Sequence, residues 1–81
     1  MDMTAIKNDL KDFFCNNLGI DASALEFDTP LFSDGIGLDS IDSLEIIAHV
    51  DDKYGVSMTG VGKDPFYNID SIAKYIVDHK E

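Results

Sequence analysis

Three stretches of this chain repeat their apolar residues at helical spacing, and no stretch alternates with the period of two that a half-buried strand needs. In the first, over residues 4–18, Met3, Ile6, Leu10, Phe13, Phe14 and Leu18 fall within an arc of about 140° on a helical wheel. Asp2 or Thr4 can cap its start and Gly19 can stop it. The second is expected over 40–54, ending at Gly55, and the third over 69–79, with Asn68 as cap and Ile69, Ile72, Ala73 and Ile76 on one face. The 81 residues allow one small domain, 1–81, and one modest core. The expected fold is therefore all-α: a small helical bundle of three main helices.

The connections differ in character. Residues 21–38 form a link that is long for so small a domain. It mixes turn formers (Thr29-Pro30, Ser33-Asp34-Gly35, Gly37) with Leu25, Phe27, Leu31 and Phe32, which are expected to tuck under the helices as a lid on the core. The second connection, 56–66, contains Gly60 and Gly62, which argue against a robust helix, while Asp64-Pro65 can start one short turn.

Charge narrows the choice of partners. Sixteen acidic residues stand against six lysines and no arginine, a formal net charge of −10, and no lysine occurs between positions 12 and 52. Such a surface repels nucleic-acid phosphates and anionic lipid, and favours partners with basic patches. Solubility alone would also account for it. No apolar run is long enough to span a membrane, and the N-terminus lacks a signal-peptide layout, so a cytoplasmic location and a monomer are the expectations. The one cysteine, Cys15, can form no internal disulfide and sits beside the apolar stripe of the first helix.

The second helix has an apolar face too many. With about 100° per residue, Ile46, Ile47, Val50 and Tyr54 cluster on one side with Ser43 among them. Ile41, Leu44 and Ala48 cluster on roughly the opposite side, among Glu45, Asp51 and Asp52. An apolar patch rimmed by carboxylates suits a docking surface, with apolar contact for affinity and charge for steering. The other reading is that Ile41 and Leu44 cover the loop or the short element after the helix.

At the head of that helix, Asp39 sits where an N-cap belongs, Asp42 places negative charge in the first turn, and Ser40 takes the first helical position. Exposed N–H groups and the positive end of the helix dipole would favour an anionic substituent at that point. A serine there is, in most proteins, no more than a helix-start residue.

The residues Gly37-Leu38-Asp39-Ser40-Ile41-Asp42-Ser43-Leu44-Glu45-Ile46 resemble the phosphopantetheine-attachment motif of acyl carrier proteins, G-x-D-S-[LI]-x-x-[LV]-E followed by an apolar residue. Leu18-Gly19-Ile20, Asp51-Asp52-Lys53-Tyr54-Gly55 and Ile69-Asp70-Ser71-Ile72-Ala73-Lys74-Tyr75-Ile76 resemble the family's helix ends and closing helix, so the similarity covers nearly the whole chain. It implies a four-helix bundle, in which the third helix would be short here, with Ser40 modified by a phosphopantetheinyl transferase that draws 4'-phosphopantetheine from coenzyme A. Acyl intermediates would ride on that arm as thioesters between acyl-loading and chain-elongating enzymes of fatty acid or polyketide-type biosynthesis. It also implies docking through Ile41, Leu44, Glu45, Ala48, Asp51 and Asp52, and lining of an acyl chain by Ile46, Ile47 and Val50. Thr59-Gly60-Val61-Gly62-Lys63 departs from the family's often acidic third helix, and the approach from Phe32 to Leu38 is similar to carriers of specialised pathways.

Other classes fit less well. A serine hydrolase needs a base within reach of its serine, and His49 lies two and a half turns along the same helix as Ser40. A twelve-residue calcium loop from Asp34 to Glu45 would put Ile36 and Leu38 at ligand positions and Asp39 where glycine belongs. A peptidyl, aryl or D-alanyl carrier, or an unmodified adaptor of the same fold, shares the sequence pattern.

Overall fold

The computed structural model describes residues 2–32, 36–60 and 64–79, and of Ser40 and Asp64 the backbone alone. Helix α1 runs Met3–Asn17, α2 Ser40–Tyr54 and α3 Ile69–His79. All three lie within a residue of the spans that periodicity predicts, because capping fixes their ends locally. Asp2 accepts from the Thr4 N–H at 2.9 Å, and Asn68 accepts from the Ser71 N–H at 2.7 Å. Gly19 and Gly55 take positive φ of 72° and 68°, which lets the chain leave α1 and α2 without the strain a side chain would bring.

The core collects the predicted stripes. Ile6, Leu10, Phe13 and Phe14 from α1 meet Ile46, Val50 and Tyr54 from α2 and Ile69, Ile72, Ala73 and Ile76 from α3, all buried. Helices α1 and α3 pack directly on each other. Burying a side chain of this size contributes about 1.5–3 kcal/mol, so these stripes carry most of the stability of the domain.

The long link is a packed lid, as its apolar residues predict. Leu25 and Leu31 are fully buried, and Phe27 and Phe32 pack half-buried against the core. After a 3₁₀ turn at Ala22–Ala24, capped by Asp21, the link is tied to the start of α3 by backbone hydrogen bonds. The Leu31 N–H donates to the Tyr67 carbonyl at 2.9 Å, and the Asp70 N–H to the Phe27 carbonyl at 3.0 Å. Lys7 pairs with Asp70 at 2.9 Å and lies over the Phe27 ring, so α1 grips the same junction. An isolated parallel bridge between Phe32 and Leu38 is the one β-type pairing among the described residues.

The short third element of the bundle is a single 3₁₀ turn, Asp64–Phe66. The turn formers Ser33, Asp34 and Gly35, and residues 61–63 within the departure at Thr59 to Lys63, lie outside the described residues. Val56 and Met58 enter the core on either side of exposed Ser57. That is a two-residue alternation outside any regular element, too short to stand out in the sequence.

Candidate functional site

The head of α2 is a reciprocal cap. The Asp39 carboxylate accepts from the N–H groups of Ile41 and Asp42 at 3.0 and 3.1 Å, and Asp42 accepts from the Asp39 N–H at 3.1 Å. This is a capping box with aspartate in both roles, and it fixes Ser40 as the first residue of the helix. The neighbours on both sides, Asp39 and Ile41, are exposed. The geometry corrects one expectation. The N–H groups of Ile41 and Asp42 are already satisfied by Asp39 and are not free to cradle an anion. The helix dipole still favours negative charge at this end of α2.

Beyond the cap, α2 shows both faces. Ile46 and Val50 are fully buried, with Ile47 at the core's edge. On the other side Ile41 is 67% exposed and Leu44 64%, and Glu45, Ala48, Asp51 and Asp52 are exposed with them. Ile41 and Leu44 therefore cover neither the loop nor the following turn. The carboxylates of Glu45, Asp51 and Asp52 make no ion pair among the described residues.

A third feature has no local signature in the sequence. Asp9 of α1 receives three partners from α2. His49 Nε2 lies 2.9 Å from its Oδ2, the Tyr54 hydroxyl donates to the same oxygen at 2.8 Å, and the Lys53 ammonium donates to Oδ1. The His49 ring stacks on Phe13 with centroids 4.2 Å apart. Burial alone would raise the Asp9 carboxyl, but the hydrogen bonds from Lys53, His49 and Tyr54 outweigh it and hold the group below its ordinary range. Burial, then the Asp9 hydrogen bond and charge, push the Tyr54 phenol well above its ordinary value.

These contacts bear on the competing chemistries. His49 is turned onto Asp9 and lies nine residues, about 13 Å, along α2 from Ser40, too far to act as its base. The second half of the stretch from Asp34 to Glu45 is helical, so it is no calcium loop, and no group of three candidate metal ligands occurs among the described residues. No helix among them is long and apolar enough to cross a membrane.

An all-helical bundle with a capped serine at the head of a two-faced acidic helix has the architecture of a carrier domain. Comparison with known proteins makes the class specific. The family model for the phosphopantetheine attachment site matches residues 8–61, a stretch that includes the cap, Ser40 and all of α2. The chain is 30% identical over 77 residues to an acyl carrier protein of Brachyspira hyodysenteriae, covering 95% of this chain and 99% of that one. It is 25% identical over 81 residues to the acyl carrier protein of Chloroherpeton thalassium, with both chains fully covered. A third, from Clostridium acetobutylicum, is 28% identical over 72 residues, covering 89% and 92%. The chain belongs to the phosphopantetheine-binding acyl carrier protein family. Its prosthetic group is 4'-phosphopantetheine, which supplies a thiol on a flexible arm.

Proposed function

We propose that Ser40 carries the phosphopantetheine arm and that residues 1–81 act as one acyl carrier domain, a tether and not a catalyst. The observation that carries this reading is the Asp39–Asp42 capping box, which presents Ser40 as the first residue of α2 within the family-matched stretch. In the loading reaction a phosphopantetheinyl transferase would join the Ser40 oxygen to the phosphorus of the phosphopantetheine half of coenzyme A. The serine hydroxyl gives up its proton to a base of the transferase, the pyrophosphate bond breaks, and the adenosine bisphosphate leaves with the electron pair. Asp39 caps the helix start, so that Ser40 stands at the first position of α2.

The docking surface in this reading is Ile41, Leu44, Glu45, Ala48, Asp51 and Asp52. Its exposed apolar centre and its carboxylate rim, which makes no ion pair among the described residues, complement an enzyme with an apolar socket and a basic patch. Partners are then the transferase and the acyl-loading and chain-elongating enzymes, met by a monomeric carrier in the cytoplasm. Ile46, Ile47 and Val50 face the interior, where an acyl chain entering between the helices would lie against them.

The test is intact mass after co-expression with a broad-specificity phosphopantetheinyl transferase. One phosphopantetheine adduct in the wild type, and none in Ser40→Ala, is the expected result. A folded protein that takes up no arm would favour an unmodified adaptor.

A further inference from the structure

We infer that Asp9, on α1, sets the charge of the α2 docking face by holding Lys53, the lysine that flanks that face, so that Glu45, Asp51 and Asp52 meet a partner without a counter-ion among the described residues. The inference rests on the docking reading proposed above. Helix α2 contains one lysine, Lys53, and one histidine, His49. Measured from Ser40 on the helical wheel, the docking residues span about 20° to 140°, and His49 and Lys53 follow at about 180° and 220°. His49 comes four residues after Glu45, the spacing at which two side chains on a helix are surface neighbours.

In the folded protein His49 turns to α1, with its ring on Phe13 and Nε2 at 2.9 Å from Asp9, and Lys53 spends its charge on the other Asp9 oxygen. The other ion-paired lysines among the described residues likewise meet aspartates off α2, Lys7 with Asp70 and Lys74 with Asp78. The Asp9–Lys53 pair is neutral as a unit. Without Asp9, one positive charge would stand at the border of the carboxylate rim, facing the partner's basic patch.

The expected size is modest and measurable. A unit charge about 10 Å from a partner's cation in water changes binding about twofold, and salt screens it. The experiment follows loading of the apo-protein by a phosphopantetheinyl transferase with coenzyme A, at low and at high salt. In Asp9→Asn the KM for the carrier should rise about twofold at low salt with kcat unchanged, and the difference should shrink at high salt. Asp9→Asn combined with Lys53→Gln should restore the wild-type KM. Lys53→Gln alone should lower it, and this variant carries the test if Asp9→Asn does not fold. Asp78→Asn, which frees Lys74 on α3 with the same change in net charge, should leave KM unchanged. An unaltered KM in both Asp9→Asn and Lys53→Gln would overturn the inference while wild-type loading keeps the Ser40 reading intact. So would an equal effect of Asp78→Asn, or no rescue in the double variant. A wild type that takes no arm, or a Glu45→Lys variant with normal KM, would overturn the underlying reading and this inference with it.

Discussion

Asp39 and Asp42 each accept the other's backbone N–H at 3.1 Å, closing the head of α2 from both ends of its first turn. Aspartate stands in the second position where glutamate is usual, and its shorter side chain still reaches the Asp39 N–H. Losing the cap in Asp39→Ala should cost about 1 kcal/mol, or several degrees in Tm for a domain of this size. Asp39→Asn, which caps comparably, should melt close to wild type. Thermal unfolding followed by circular dichroism separates the two, and equal melting of all three would deny the cap its role.

Leu44 and Glu45 are exposed, so their substitution has little folding energy to remove. Leu44→Ala and Glu45→Lys should each change stability by no more than about 0.5 kcal/mol. Transferase KM should nevertheless rise about tenfold, as expected for a contact near the centre of an interface. A matched loss of Tm and KM would mean that Leu44 supports the fold.

The Asp9 carboxyl has a folded-state value below its unfolded one, which fixes the sign of a pH effect. Its contribution to stability is fully present above the unfolded value near pH 4 and disappears as pH falls through the lower folded value. Denaturant titrations from pH 6 down to pH 2 should show a smaller acid-induced loss in Asp9→Asn than in the wild type. Parallel curves for the two proteins would contradict the Asp9 network.

The phenol of Tyr54 works at the other end of the scale. Its folded value lies above its unfolded one, so stability should fall as pH rises past about 10, where only the unfolded chain ionises. Tyr54→Phe should remove that alkaline slope, whatever it does to stability at neutral pH. An unchanged slope between pH 9 and 11 would show that folding does not raise the Tyr54 phenol.

Leu31 is the anchor of the lid, fully buried and tied by its N–H to the Tyr67 carbonyl. Leu31→Ala should cost about 2–5 kcal/mol, a large share of what so small a domain has. A melting point within a few degrees of wild type would show that the link is not part of the core.

What the sequence by itself determined was everything settled within a turn or two of chain. The three helices, the stops at Gly19 and Gly55, the Asp39 cap and the two-faced character of α2 all follow from neighbours three or four residues apart, so wheel and motif suffice to see them. The motif on which the proposed tether position rests was legible too, because the residues around Ser40 are continuous in the chain. The tertiary structure alone decided which α2 face stays open, since exposure of Ile41 and Leu44 depends on where the loop and the Asp64–Phe66 turn lie. It also joined Asp9 to His49, Lys53 and Tyr54 across 40 to 45 residues of chain, and Leu31 to Tyr67. Those pairs are set by how helices cross and how a loop closes, and no spacing in the chain encodes a crossing angle. The sequence thus marked the motif on which the proposed arm site rests, while the contacts between α1 and α2 decided how the charges beside it are paired.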